Sequence, residues 1–202
     1  VPHSSVYNPA IDAPGIYRYA VQGTPPCAND FAFVTVNEPQ APDAGLPNDI
    51  QLCSSQSPVL MRTQLGGTPQ TGGTWVYVTG GDVPHGNFFD PSSDLPGVYR
   101  YTVAGTAPCA DASAELTITV VTAGNAGASA TLDACVTQTA VNLFAALGPN
   151  AQTGGTWTDQ GGSGALTGDI FNPSVAGNGS WAFQYTILGN GPCAAVSATV
   201  TV

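Results

Sequence analysis

The chain repeats itself with a period of just over eighty residues, and this repetition constrains the fold more than any other feature. Residues 15–27 read GIYRYAVQGTPPC and residues 97–109, which lie 82 positions later, read GVYRYTVAGTAPC. A looser copy, AFQYTILGNGPC, occupies residues 182–193. Each copy predicts a β-strand, then a turn rich in glycine and proline, then a cysteine. A period this long suits a small β-sandwich with its own core better than a solenoid repeat.

The repeat divides the 202 residues into three units. We predict that unit 2 (residues 39–121) and unit 3 (122–202) are complete sandwiches, and that unit 1 (1–38) is the C-terminal half of one. Val1 aligns with Val83, so the first half of unit 1 either precedes Val1 or is supplied by another chain. Half a sandwich exposes an apolar face and a strand edge. We favour a polypeptide that continues upstream.

The spacing of apolar residues predicts strands throughout the complete units. Leu116, Ile118 and Val120 alternate with polar neighbours, which is the period of a strand with one apolar face. Only residues 141–147 suggest a short helix. We therefore predict an all-β fold. The strands predicted for unit 2 cover residues 50–53, 58–63, 74–78, 87–89, 98–104 and 113–121.

The charge of the chain argues against two classes of partner. Thirteen acidic residues stand against three basic ones, and the net charge is -10. Such a chain repels nucleic acid and anionic lipid. It also has no apolar run long enough to cross a bilayer. We expect neither nucleic-acid binding nor membrane insertion.

Five cysteines occupy two positions of the repeat. One pair per complete unit predicts the disulfides Cys53–Cys109 and Cys135–Cys193, with Cys27 paired to a residue outside the chain. Metal ligation or redox catalysis is the alternative, but no Cys-x-x-Cys motif supports it. Disulfides imply an oxidising compartment, so the chain is expected to be extracellular or on a cell surface.

Aromatic residues also recur at fixed positions of the repeat. Trp75 and Trp157 each follow a Gly-Gly-Thr turn, and Tyr99 follows the sequence DLPG. Immunoglobulin-like sandwiches bury a tryptophan in the core and use a tyrosine hydroxyl to pin a loop. We therefore predict tandem immunoglobulin-like β-sandwiches, each with one internal disulfide. The alternative, a platform for stacking sugars, is less favoured because the rings recur at equivalent positions.

Several of these motifs together resemble a known family. The runs GGTW, FDPS, PGVYRYTV, PCADASA and TITV in unit 2 are similar to the tandem Ig-like (PKD-like) repeats of large secreted surface and adhesin proteins of the Bacteroidota, including gliding-motility-associated proteins exported by type IX secretion. The resemblance covers essentially the whole chain and implies a stalk-forming module. Unit 3 departs from it where Gly-Asn-Gly-Ser at residues 177–180 replaces the Pro-Gly turn, which puts its tyrosine corner in doubt.

Acidic residues in turns and the two histidines are the remaining candidates for a metal or catalytic site. Calcium requires six to eight oxygen ligands, and the chain has no Asp-x-Asp-x-Asp run, so acidic turn residues are better explained as solvated turn formers. Calcium between units remains open, and no other cofactor is expected. His85 is the only histidine of a complete unit, and Asp90 becomes Asn8 and Asn172 in the other units. A repeated catalytic dyad would not vary in this way, so we expect no enzyme. The acidic residues in predicted turns are Asp82, Asp90, Asp94, Asp159 and Asp169.

The sequence thus predicts a structural segment of a secreted, multidomain cell-surface protein. Its expected partners are flanking repeats of the same polypeptide and, in an extracellular fibre, copies of itself. The rival is a carbohydrate-binding or adhesive module that recognises a surface glycan through loops near Trp181, Phe88 and Phe89.

Overall fold

Strands make up most of the regular structure in residues 2–202, which the computed structural model describes. The alignment of Val1 with Val83 lies outside the described residues. Within these described residues, helical structure is limited to α1 (Pro173–Ala176) and to two 3-10 turns, Met61–Gln64 and Phe144–Leu147. The all-β sandwich predicted from the sequence is confirmed. No helix in residues 2–202 is both long and apolar enough to span a bilayer.

Unit 1 is a single antiparallel hairpin. Its strands β1 (Gly15–Val21) and β2 (Asp30–Val36) pair along their whole length, and no other strand of residues 2–202 joins them. Several residues of these two strands are therefore exposed to solvent, whereas the residues at the equivalent positions of unit 2 are buried. Tyr19 is 70% exposed where Tyr101 is 1% exposed, and Val34 is 59% exposed.

Unit 2 consists of one five-stranded sheet facing a two-stranded one. The large sheet has the order β3-β9-β8-β5-β6, and β4 pairs with β7 in the small sheet. β3 runs parallel to β9, whereas all other pairs in the unit are antiparallel. The strands are β3 (Asn48–Cys53), β4 (Val59–Leu60), β5 (Thr74–Tyr77), β6 (Val83–His85), β7 (Phe88–Phe89), β8 (Gly97–Val103) and β9 (Ala112–Val121).

The core of unit 2 follows the alternation seen in the sequence. Leu116 and Ile118 of β9 are fully buried, as the period of two requires. One predicted strand, residues 58–63, is wrong beyond Leu60. There the chain coils into a 3-10 turn that buries Met61 completely, and the Arg62 guanidinium donates a hydrogen bond to the Pro69 carbonyl at 3.0 Å. β6 was not predicted.

Unit 3 repeats this plan with the same number of strands, divided four and three between its two sheets instead of five and two. Its sheets have the orders β10-β16-β15-β12 and β11-β14-β13, and β10 again runs parallel to the last strand. The helix suggested for residues 141–147 is instead a strand followed by a 3-10 turn. The strands are β10 (Ala130–Thr131), β11 (Val141–Asn142), β12 (Thr156–Asp159), β13 (Leu166–Thr167), β14 (Ile170–Phe171), β15 (Ala182–Ile187) and β16 (Val196–Thr201).

Units 2 and 3 bury separate clusters of apolar side chains. One cluster draws its buried members from residues 44–118, the other from residues 126–200. No residue belongs to both clusters. The two sandwiches therefore each have an interior of their own.

Candidate functional site

The direction of β3 separates the two cysteines of unit 2. Because β3 runs parallel to β9, Cys53 lies opposite Val121 at the C-terminal end of β9. Cys109 lies in the β8–β9 loop, before the other end of β9 at Ala112. Nine residue steps at about 3.3 Å each place these ends about 30 Å apart. A disulfide requires Cα atoms within about 7 Å. The predicted Cys53–Cys109 bond is therefore wrong.

The same geometry separates the cysteines of unit 3. Thr131 at the end of β10 pairs with Thr201, near the C-terminal end of β16, and Cys135 follows shortly after. Cys193 precedes the opposite end of β16, which begins at Val196. The predicted Cys135–Cys193 bond is wrong for the same reason. Cys135 is an exposed free thiol.

The disulfide in the structure joins the two units. Cys53 of unit 2 is bonded to Cys193 of unit 3, with a Cα–Cα distance of 4.9 Å and a sequence separation of 140. Both cysteines are buried. The prediction of one internal disulfide per sandwich is corrected accordingly, because the bond crosses a junction. Cys27 and Cys109 are also free among the described residues, and the pairing of Cys27 outside the chain stays a prediction.

Hydrogen bonds around the disulfide hold the linker in place. The Ser54 amide donates to the Val121 carbonyl at 2.9 Å, and the Ser54 hydroxyl accepts from the Ala123 amide at 2.9 Å. The Cys193 sulfur lies 3.3 Å from the same Val121 carbonyl. The linker is packed as well, since a Cβ on Gly124 would approach the Ile187 side chain to 2.8 Å. The junction is thus an ordered covalent tie.

No protein-family model matches the chain, and no curated protein does so either.

Tyrosine corners are present where the sequence predicts them. The Tyr99 hydroxyl donates to the Leu95 carbonyl at 2.6 Å, and the equivalent Tyr17 hydroxyl donates to the Ala13 carbonyl at 2.6 Å. Burial raises the pKa of Tyr99 to about 12. In unit 3 the corresponding residue is Phe183, which is fully buried and has no hydroxyl to pin a loop.

A second tyrosine anchor was missed at the sequence level. The Tyr101 hydroxyl donates to the Gln70 carbonyl at 2.7 Å and accepts from the Gly73 amide at 2.9 Å. Tyr185 makes the same pair of bonds in unit 3. A Cβ on Gly73 would lie 2.5 Å from the Tyr101 ring, so the second glycine of Gly-Gly-Thr-Trp makes room for this ring. The sequence signal that could have predicted this anchor is that Gly-Gly-Thr-Trp and the second tyrosine occur together in both complete units.

The two equivalent tryptophans have different surroundings. Trp75 is 2% exposed and packs on Tyr101 with ring centroids 5.0 Å apart, as core packing predicts. Trp157 is only half-buried, because β12 is an edge strand: β13, which occupies the position of β6 in the repeat, pairs with β14 in the other sheet. Its indole lines an open groove of about 600 Å³ together with Phe144 and Asp169.

The structure does not assemble the aromatic residues proposed for glycan binding. Phe89 is fully buried in the core of unit 2, and its neighbour Phe88 is exposed. Trp181 is half-buried and packs against the core of unit 3. These residues therefore do not form one binding platform.

The histidines are partners of aspartates that order a loop. His3 Nε2 lies 2.9 Å from Asp12 Oδ1, and in unit 2 His85 Nε2 lies 3.5 Å from Asp94 Oδ2. Hydrogen bonds to the Ser4 carbonyl and to Asp12 raise the pKa of His3. The pKa of Asp12 is lowered, chiefly by the Asn8 amide and then by His3.

The remaining acidic candidates have local partners. Asp82 forms an ion pair with Arg100, and Asp90 accepts hydrogen bonds from Ser92. Asp159 accepts from Ser163. Within residues 2–202 no three side chains of the metal-binding types come together as a candidate metal site.

Proposed function

We propose that the chain is a structural segment of a secreted, multidomain cell-surface protein, in which tandem immunoglobulin-like sandwiches form a stalk or filament. The observation that carries this proposal is the disulfide between Cys53 and Cys193, which ties two separately folded units together. The resemblance to Bacteroidota surface repeats supports the same conclusion.

The position of the bond has a mechanical consequence. Tension applied to the two ends of the chain reaches Cys53 from one side and Cys193 from the other, and the disulfide carries it directly between them. The backbone between these cysteines lies in a closed loop that the applied force cannot extend. Each sandwich can therefore unfold transiently without adding the length of that loop to the end-to-end distance of the chain.

Single-molecule force extension of the full chain tests this role. The loop has a sequence separation of 140. At about 3.3 to 3.6 Å per residue, reduction should lengthen the fully stretched chain by roughly 460 to 500 Å. The matched control is Cys109→Ser, which leaves the bond intact and should behave as the parent. Equal extension with and without reductant would refute the mechanism.

Cell-surface location is part of the proposal and rests on the disulfide, since such bonds persist in oxidising compartments. We infer partners of two kinds, namely flanking repeats of the same polypeptide and copies of the chain in a fibre, and no catalytic role. Immunogold labelling should decorate intact cells of the source organism, and label found only after permeabilisation would contradict the location. Sedimentation of the purified chain measures its self-association.

The groove beside Trp157 supports a second candidate function, carbohydrate binding. A half-buried indole, the Phe144 ring and the Asp169 carboxylate suit a sugar, which presents apolar faces and hydroxyl groups. Polysaccharide pull-down should lose binding on Asp169→Asn and Trp157→Phe but keep it on Asp133→Asn, a residue outside the groove. Absence of binding to a broad glycan panel would remove this candidate.

A further inference from the structure

Cys109 has the same environment at the first junction as the bonded Cys193 has at the second. Its sulfur lies 3.3 Å from the carbonyl oxygen of Pro39, and the Cys193 sulfur lies 3.3 Å from that of Val121. Pro39 and Val121 are 82 positions apart, which is one period of the repeat. A free thiol therefore stands at the junction of units 1 and 2 in the place where a disulfide stands at the junction of units 2 and 3.

The bonded junction shows which strand edge of unit 1 a partner strand would pair with. Cys53 reaches Cys193 at the end of β3, which pairs in parallel with the outer edge of β9. The strand of unit 1 equivalent to β9 is β2, and its edge away from β1 pairs with no strand of residues 2–202. A strand placed on that edge in the register of β3 would end with its cysteine opposite Pro39, beside Cys109.

The exposed face of the hairpin indicates what else the partner contains. Tyr19 and Val34 are largely in solvent, whereas their counterparts Tyr101 and Leu116 are buried. In unit 2 the side chains that share a core with those counterparts include residues of 39–82, among them Trp75. The same half-repeat thus supplies both the cysteine-bearing strand and the cover for this face.

We propose that Cys109 forms a second inter-unit disulfide, with a cysteine on a half-repeat of the kind found in residues 39–82 that completes unit 1. The reaction is thiol–disulfide exchange with an oxidised thiol–disulfide oxidoreductase or oxidised glutathione. The two cysteine thiols lose two protons and two electrons, a sulfur–sulfur bond forms between them, and the oxidant is reduced to two thiols. This inference concerns one covalent bond and goes beyond the stalk function.

A fusion protein tests the proposal on the full chain. A copy of residues 39–82 is placed directly before Val1, which aligns with Val83, so the repeat continues without a gap. After oxidation in a glutathione buffer, non-reducing digestion and mass spectrometry should find the copied cysteine bonded to Cys109, with Cys27 free. A bond to Cys27, or a Cys109 that stays free, would overturn the proposal.

Exposure provides a sharp contrast for this experiment. Cys27 and Cys135 are exposed, whereas Cys109 is half-buried, so unguided oxidation would favour the first two. In the fusion, alkylation of Cys109 by iodoacetamide should slow at least tenfold, and a serine in place of the copied cysteine should restore its reactivity. Amide exchange across β2 should slow in both fusions if the half-repeat covers the hairpin, and unchanged exchange would refute the assigned partner. These readouts do not depend on the force measurement.

Discussion

Removing one half of the junction disulfide should destabilise both complete units, although each substitution touches only one of them. For Cys193→Ser the relevant quantity is the loop that the bond closes in the unfolded chain. With a separation of 140, chain entropy accounts for about 5 kcal/mol when both units are unfolded. When one unit opens beside a folded neighbour, the loop is about 70 residues and the value is roughly 4.4 kcal/mol.

These values are upper figures, since removal of a native disulfide from a small domain typically costs about 2 to 5 kcal/mol. We therefore expect Cys193→Ser to lower the free energy of unfolding of each unit by at least about 2 kcal/mol. For domains of this size, 1 kcal/mol corresponds to roughly 4 to 8 °C in Tm. The midpoint of each unit should fall by at least about 8 °C.

Hydrogen exchange with mass spectrometry across a urea series measures the two units separately, because peptides from β8 and β15 report on different cores. Cys53→Ser should reproduce the effect of Cys193→Ser. Cys109→Ser is the control, since that thiol is free, and should leave both units unchanged. A loss confined to unit 3, or a loss below about 1 kcal/mol in both units, would refute the reasoning.

Two further predictions concern side-chain anchors. Tyr101→Phe should destabilise unit 2 by about 1 to 3 kcal/mol, because it leaves the Gln70 carbonyl and the Gly73 amide without the hydroxyl that both contact. The control is Tyr19→Phe at the equivalent exposed position of unit 1, which should cause no measurable change in the same urea series. The ion pair of His3 and Asp12 should be strongest at a pH between the lowered pKa of Asp12 and the raised pKa of His3, where both groups are charged. Its contribution to stability should be lost as the pH falls through the pKa of Asp12, and also as the pH rises through the pKa of His3. An NMR titration should show a His3 pKa above 6.5 that returns toward that value in Asp12→Asn, and a pKa already at 6.5 in the parent would contradict the pairing.

The sequence was sufficient for the long strands β8 and β9 and for the core faces, because both follow from the alternation of side chains. It was not sufficient for β6, for the 3-10 turn at Met61 or for residues 141–147, which are too short to show a period. It was not sufficient for the disulfides. Spacing shows that each complete unit has two cysteines, but the direction of the first strand decides whether they share an end of the sandwich. Parallel pairing of β3 with β9 places Cys53 away from Cys109 and toward the next unit.

The groove in unit 3 was missed for a different reason. Trp75 and Trp157 occupy equivalent positions, and a repeat argument treats them alike. They differ because β6 covers the edge of β5, whereas β12 has no such neighbour. The signal was a local one, since the Val-Pro-His of β6 is replaced at residues 165–167 by Ala-Leu-Thr, where β13 pairs with β14 instead of with β12. Comparing the units where they diverge is therefore more informative about sites than comparing them where they agree.

A unit with one cysteine at each end cannot close on itself, yet it can bond to a neighbour on both sides. If Cys109 forms the bond proposed above, it divides the loop between Cys53 and Cys193 into two segments. Two covalent paths then join Cys109 to Cys193 in parallel. One runs 56 residues back through unit 2 to Cys53 and across its disulfide, and the other runs 84 residues directly, mainly through unit 3. The shorter path limits the separation of Cys109 and Cys193 under tension to roughly 185 to 200 Å, at about 3.3 to 3.6 Å per residue. Cleavage of either path alone would leave the array connected, which a purely non-covalent junction could not achieve.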